Sequence, residues 1–142
     1  MPTDGSKLSD RAVQRGIELA EAIDARVTAV HVIPEFRMMA DESFVLPTSA
    51  DLKQRYEKEA KSRATKMLQK VCERAGTAGV KCECVVIVGD TPYEHIIDTA
   101  KKRKCDLIMM ASHGRRGISA LLLGSETAKV LTHSKTPVLV VR

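Results

Sequence analysis

The sequence is poor in aromatic residues and has no long hydrophobic run. Its 142 residues include two Tyr, two Phe and no Trp, so side chains on which single-stranded nucleic acid could stack are scarce. The strongest apolar run, residues 84–88, has the length of a strand and is far short of a membrane span. The first ten residues contain no apolar stretch typical of an export signal. These absences predict a cytoplasmic protein whose partners include neither a nucleic acid nor a membrane.

Cysteine is also sparse. The four cysteines could form two disulfides in a secreted protein, but without an export signal reduced and mostly buried thiols are favoured. Cys82 and Cys84 could supply half of a soft-metal site, because thiolates two residues apart on a strand face the same side. No second pair occurs at ligand spacing, so a core position is favoured for both. The four are Cys72, Cys82, Cys84 and Cys105.

The length and charge fit one soluble domain spanning residues 1–142. Lys and Arg number 23 against 18 Asp and Glu, a formal net charge of +5. Because the basic residues are spread along the chain, a solvated basic surface is favoured over a dedicated anion-binding patch.

Apolar periodicity alternates between helix and strand spacing along the chain. Each predicted strand is apolar throughout, which is typical of a parallel sheet covered on both faces. The pattern therefore predicts an α/β fold with an open, doubly wound parallel sheet. A long loop at 34–49 is expected to be functional or mobile. The predicted strands are 27–33, 82–88, 106–111 and 137–141; the predicted helices begin near Leu8, Leu52, Pro92 and Ser125.

Two segments fall where such a sheet binds ligands, beyond the carboxyl ends of its strands. In residues 2–6, the Asp4 carboxylate could accept hydrogen bonds from ribose hydroxyls. In residues 111–125, Gly114 permits positive φ and close backbone approach, and Gly124-Ser125 opens a helix whose amides would face an anion. Neither GxxxxGK[ST] nor GxGxxG occurs. Without further information, phosphate binding and a glycine-rich connection capped by Ser125 are equally compatible with this segment, whose Arg115 and Arg116 could add charge.

The second segment resembles the nucleotide motif of the universal stress protein family. That motif is Gly, two residues, Gly, nine residues, Gly, then Ser or Thr, and Ala111, Gly114, Gly124 and Ser125 stand at its spacings. The opening Pro-Thr-Asp and the strand end His31-Val32-Ile33 match as well, so the likeness covers essentially the whole chain. It implies a Rossmann-like fold of the adenine nucleotide alpha-hydrolase-like type.

The resemblance also implies a ligand and its contacts. Asp4 and Ala111 would lie at the ribose of ATP, ADP or AMP, and the backbone near Val32 would meet the adenine. The phosphates would rest on Gly114, Gly124, Ser125 and the Glu126 amide, with Mg²⁺ bridging phosphate oxygens. The full set of expected contacts is Pro2, Thr3, Asp4, Val32, Ala111, Gly114, Gly124, Ser125 and Glu126.

Members of the family pair as homodimers through their last strand, here 137–141, and act in stress responses. The expected role is thus a nucleotide-binding sensor or regulator with no catalytic residue. Two alternatives stay open: a dimeric interaction module that binds no nucleotide, and an enzyme such as a slow ATPase. No HxGH-type motif or evident general base supports the enzyme.

Two features depart from the family pattern. Ala111 replaces the leading Gly, and if that position requires positive φ the substitution costs about 1 kcal/mol or more. The family's central first strand runs directly into Pro-Thr-Asp, yet only Met1 precedes Pro2 here, so that strand is expected to be truncated. Strands 27–33 and 106–111 are then expected to pair directly, or a partner chain to insert a strand between them. His31 is expected to be a hydrogen-bonded core residue, and His113 to be solvated.

Overall fold

The computed structural model describes residues 1–36, 49–114 and 123–142, in which helices and strands alternate as predicted. The third strand is two residues shorter than predicted, and the second helix begins three residues earlier. None of the helices in these ranges is long and apolar enough to cross a lipid bilayer. The elements are α1 Lys7–Ala22, β1 Val27–Ile33, α2 Ser49–Thr77, β2 Cys82–Val88, α3 Pro92–Lys102, β3 Ile108–Ala111, α4 Ser125–His133 and β4 Val138–Val141.

Capping residues set the helix starts. Of the two candidate caps for α1, Ser6 takes the role, and its hydroxyl accepts a hydrogen bond from the Ser9 amide at 3.2 Å. At α3, Thr91 occupies the N-cap position and Pro92 follows it, as predicted. The α2 helix ends at Thr77, shortly before Gly79 turns the chain with a φ of 72°.

The strands pair in parallel. β1 pairs with β2 in a register running from Val27 opposite Cys82 to Ile33 opposite Val88. β3 pairs with β4, with Ile108 opposite Val138. In the described ranges β1 and β3 do not pair, so the prediction that strands 27–33 and 106–111 close the gap is wrong.

The amino-terminal segment explains why β1 does not pair with β3. Met1 accepts a hydrogen bond from the Val30 amide at 3.0 Å, and the Thr3 amide donates to the Val30 carbonyl at 2.9 Å, so Pro2 forms a parallel bridge with β1. The Met1 ammonium donates to the Thr28 carbonyl at 2.7 Å, and burial lowers the pKa of this amine to about 6. Since β2 pairs with one edge of β1 and residues 1–3 pair with the other, β1 has no edge left for β3; residues 1–3 are called the stub below.

Helices cover both faces of the strands, confirming the doubly wound α/β prediction. On one face, α1 and α2 pack against β1 around the fully buried Leu68 and Ala29. On the other face, α3 and α4 enclose Val30 and Met110. The apolar runs of β1 and β3 follow from this arrangement, because successive side chains of a strand point to opposite faces and helices cover both; β2 and β4 are only half-buried or exposed.

The cysteines differ from expectation. Cys72 on α2 forms a disulfide with Cys82 at the start of β2, Cys84 is an exposed thiol, and Cys105 is a half-buried thiol. The prediction of reduced, mostly buried cysteines is therefore wrong. The short α2–β2 connection brings the last turns of the helix beside the first residues of the strand, which the chain pattern alone does not specify.

Candidate functional site

The stub leads into a tight turn that presents Asp4. Gly5 adopts a φ of 74°, and its amide donates to the Thr3 hydroxyl at 3.2 Å. The Ser6 amide donates to Asp4 Oδ1 at 3.0 Å. Thr3 is buried and its hydroxyl lies 3.0 Å from that of Ser9, so the turn is anchored to α1. The position of the Asp4 carboxylate is thus fixed by its own backbone neighbours.

Asp4 lies directly against Gly114. A Cβ placed on Gly114 would stand 2.5 Å from Asp4 Oδ2 and 3.3 Å from its Cγ. Gly114 does not have a positive φ; of the two uses that the sequence allowed for it, positive φ and close approach, the structure shows the second. The absence of a side chain at Gly114 lets the Asp4 carboxylate lie against its backbone. The structure therefore brings together one residue from each of the two predicted segments.

Three hydrogen bonds join the end of β3 to its neighbours. The Ser112 amide donates to the Val141 carbonyl at 2.8 Å, and the Gly124 amide donates to the Ser112 carbonyl at 2.7 Å. The Thr127 hydroxyl, which is buried, donates to the Ala111 carbonyl at 2.9 Å. These bonds hold the first turn of α4 against the carboxyl end of β3.

Gly124 caps α4 with its backbone alone. It occupies the N-cap position in an extended conformation (φ −72°, ψ 155°), and no side chain caps the helix. Ser125 is the first helical residue, so the alternative in which it caps the helix is wrong. Among the described residues, no acceptor bonds to the amides of Ser125 or Glu126. The N-terminus of α4 thus presents backbone amide donors and the positive end of the helix dipole.

A side chain on Gly124 would meet backbone. Its Cβ would stand 3.1 Å from the Cα of His113 and 3.4 Å from the Ser112 carbonyl oxygen. His113 is half-buried and its Nδ1 lies 3.1 Å from the Ser112 hydroxyl, so it is partly packed and not simply solvated.

Glu126 contributes its backbone amide to the N-terminus of α4, while its carboxylate forms hydrogen bonds with other groups. Oε2 accepts a hydrogen bond from the Tyr93 amide at 3.0 Å, at the start of α3, and Oε1 accepts one from Lys129 Nζ at 3.0 Å. This carboxylate therefore caps α3, and its charge is balanced away from the amides of α4.

The expected adenine contact lies on β1. Val32 is half-buried and is in register with Ile87 on β2. The adjacent His31 is half-buried, and its Nδ1 lies 2.7 Å from the Thr3 carbonyl oxygen, which confirms it as a hydrogen-bonded residue. Among the described hydrogen bonds, none joins Val32 to Asp4 or Gly114. The neighbouring His31 contacts the stub instead, through the Thr3 carbonyl oxygen.

Ala111 lies inside β3, is buried, and has no positive φ. The conformational cost considered for an alanine at this position therefore does not arise. Sequence reasoning missed two positioning residues, Ser112 and Thr127, although a hydroxyl directly after an apolar strand is a detectable signal. Arg115 and Arg116, and most of the predicted loop at 34–49, fall outside the described residues.

Within residues 1–36, 49–114 and 123–142, no cluster of three or more His, Cys, Asp or Glu could hold a metal ion. Two grooves lie between α1 and α2, and one of them passes Thr3 and Ser6. Arg74, which pairs with Asp10 at 2.7 Å, lines both grooves, and neither groove includes Gly114 or Gly124.

Comparison with known proteins gives matches over the whole chain. A family model described as the universal stress protein family matches residues 1–142. Universal stress protein MJ0531 of Methanocaldococcus jannaschii is 34% identical over 145 residues, covering 100% of this chain and 79% of that protein. The solved structure of protein MJ0577 of the same organism superimposes with a TM-score of 0.82 at 26% identity, covering 99% and 91% of the two chains. A universal stress protein in complex with cAMP superimposes with a TM-score of 0.71 at 29% identity, covering 100% and 94%.

Proposed function

The chain belongs to the universal stress protein family, and from this we propose that it binds an adenine nucleotide and acts as a dimeric regulator in the cytoplasm. ATP is the favoured ligand, with ADP and AMP as alternatives. One observation carries the proposal: the Asp4 carboxylate, Gly114 and the capping Gly124 lie at one edge, where α4 begins with amides that no acceptor among the described residues engages. The structure with bound cAMP shows that a protein similar to this one takes an adenine nucleotide.

Each part of the edge suits a different part of the nucleotide. A carboxylate is an acceptor for ribose hydroxyls, and Asp4 is held in place by the Ser6 amide. The α4 amides, from Ser125 onward, are donors for phosphate oxygens. The backbone near Val32 would pair with the adenine edge, the buried Ala111 would lie beside the ribose, and the half-buried Pro2 and the buried Thr3 would support the Asp4 turn. Mg²⁺ would be held by the phosphates, because the described residues include no acidic cluster for it.

Calorimetric titration tests the proposal directly. The wild-type protein should bind ATP in the presence of Mg²⁺, and Gly124→Val should weaken binding at least about tenfold, because the new side chain meets the backbone of His113. Gly76→Val is the matched control, since a Cβ on Gly76 has no atom within 4 Å. No heat and no thermal shift at millimolar nucleotide in the wild-type protein would overturn the proposal.

The homodimer is proposed to form through residues 137–141. In the described part of the chain β4 pairs only with β3, which leaves its second edge available. Leu139 on β4 is 42% exposed, a large apolar side chain at that edge. Leu139→Lys should therefore shift the protein to a monomer in sedimentation, whereas Leu131→Lys, at a position 41% exposed on α4, should leave the dimer intact. A wild-type monomer at micromolar concentration would contradict this assembly.

The available β4 edge also supports a second candidate function, a dimeric interaction module that binds no nucleotide. It predicts that ATP produces no thermal shift in either the wild-type protein or Gly124→Val, and that both proteins remain dimers. An enzyme is the third candidate and the least supported, since no catalytic set is evident among the residues that the structure describes. Steady production of ADP or AMP by the wild-type protein, well above that of a Gly114 variant, would favour it.

A further inference from the structure

Three of the four cysteines lie together where α2 packs on the start of β2. Cys72 is disulfide-bonded to Cys82, and Cys84 Sγ lies 2.9 Å from Cys72 Sγ. Cys82 and Cys84 are two residues apart on β2 and therefore point to the same face of the strand. The sulfur of Cys72 thus has two neighbouring sulfurs with which it could be bonded.

The distance from Cys84 to Cys72 is short enough for exchange without rearrangement of the backbone. A disulfide bond is about 2.05 Å long, so Cys84 Sγ has to approach Cys72 Sγ by less than about 1 Å. Rotation of the two side chains supplies such a movement. Cys84 is exposed whereas Cys72 and Cys82 are half-buried, so a small reagent from solution has access to the free thiol first.

We propose that Cys72, Cys82 and Cys84 form a thiol–disulfide exchange site that reacts with small-molecule thiols and disulfides. In the internal step the Cys84 thiolate attacks Cys72 Sγ and forms a new S–S bond. The Cys72–Cys82 bond breaks, and its electron pair leaves on Cys82 Sγ, which takes a proton from water. The number of disulfides is unchanged, so this step needs no oxidant.

Entry to the oxidised state uses a small-molecule disulfide such as glutathione disulfide. A protein thiolate attacks it, forming a mixed disulfide and releasing one thiol; a second cysteine then displaces the other thiol and closes the internal bond. Disulfides in cytosolic proteins are usually transient and redox-sensing, which suits a bond with an exposed thiol beside it. Partial burial raises the pKa of the Cys84 thiol, so near neutral pH the exchange proceeds from a small thiolate fraction.

The site lies apart from the candidate nucleotide site. Cys82 is the first residue of β2, at the amino end of the strand, whereas Asp4 and the glycines lie at the carboxyl ends of β1 and β3. Loss of nucleotide binding would leave the cysteine chemistry unchanged, and the two proposals can fail separately.

Disulfide mapping of the wild-type protein is the primary test. The protein is equilibrated with reduced and oxidised glutathione, quenched in acid, alkylated, and cleaved by trypsin and a glutamate-specific protease. Cleavage after Glu83 separates Cys82 from Cys84, so mass spectrometry distinguishes the two linkages. Both should be present, in amounts that differ by less than about tenfold, because both join the same helix to the same strand. Detection of the Cys72–Cys82 linkage alone would overturn the proposal.

Serine variants provide the second measurement. Cys82→Ser and Cys84→Ser should each form one internal disulfide under these conditions, through the cysteine that remains on β2. Cys72→Ser should form none, and Cys105→Ser should behave like the wild-type protein because Cys105 lies outside the cluster. Circular dichroism checks that each variant is folded. A folded Cys82→Ser protein that stays reduced while Cys84→Ser oxidises would refute exchange through Cys84.

Discussion

Replacing Gly114 with alanine should act on the candidate site through a single carboxylate. The added Cβ would stand 2.5 Å from Asp4 Oδ2, and an ordinary contact is about 3.5 Å. The carboxylate must therefore retreat by roughly 1 Å. Because it is the end of a side chain, it can move at little cost. The expected loss is its hydrogen bond with the Ser6 amide; since Asp4 is only half-buried, water partly replaces that bond, and the loss of folding stability should be about 0.5–1.5 kcal/mol.

The effect on nucleotide affinity should be larger than the effect on stability. A hydrogen bond to a charged group contributes about 1.5–3 kcal/mol, so displacing Asp4 from the ribose should weaken binding about 10- to 100-fold. Asp4→Ala should cause a similar loss. If both act on the same contact, the Asp4→Ala/Gly114→Ala double variant should bind no more than about twofold more weakly than Asp4→Ala alone.

Calorimetric titration of the four proteins with ATP closes this double-mutant cycle, and chemical denaturation of the same proteins measures the coupling without ligand. Gly76→Ala is the control, because its methyl group would have no atom within 4 Å. The reasoning fails if Gly114→Ala weakens binding by the same factor with and without the Asp4 carboxylate, since the glycine would then act through some other group.

Three further expectations concern stability and reactivity. Thr127→Val removes the buried hydroxyl that donates to the Ala111 carbonyl, and should lower the free energy of unfolding in urea by about 1–3 kcal/mol; an unchanged midpoint would contradict the role given to this bond. Reduction of the Cys72–Cys82 disulfide, which spans 10 residues, should lower stability by about 2–3 kcal/mol and Tm by roughly 5–10 °C; equal Tm values in calorimetry with and without a dithiol would refute this. Burial raises the pKa of the Cys84 thiol. Its alkylation rate, followed by mass spectrometry, should therefore reach half its maximum at a pH above about 8.5, the pKa of a free cysteine. A midpoint below that pH would contradict the direction of the shift.

The order of elements was predictable because it rests on local chemistry. Apolar runs without alternation identified the buried strands, and Thr91-Pro92 identified the start of α3. The nearness of Asp4 to Gly114 was also predictable, since carboxyl ends of parallel strands share one edge of a sheet. These predictions need only the period of the sequence and the chemistry of single residues.

The predictions that were wrong depend on how elements pack in three dimensions. Direct pairing of β1 with β3 assumed that the other edge of β1 was vacant, but hydrogen bonds between Val30 and the stub occupy it. The disulfide between Cys72 and Cys82 depends on the angle at which α2 returns along β2, which no periodicity encodes. For Gly114, sequence reasoning left two uses open, a positive φ and a close approach, and the structure shows the second. Both uses require a glycine, so only coordinates distinguish them.

The spacing of the glycine motif follows from these contacts. Ala111 ends β3 in an ordinary strand conformation, so no glycine is needed there for backbone freedom. Three residues later the chain passes Asp4, and a side chain at Gly114 would strike it. The Gly124 amide bonds to the Ser112 carbonyl, and a Cβ on Gly124 would crowd the His113 backbone, at 3.1 Å from its Cα. The two glycines are therefore not equivalent: one leaves room for a movable carboxylate and the other for fixed backbone. Substitution at Gly114 should for this reason affect ligand affinity more than stability, whereas substitution at Gly124 should affect both.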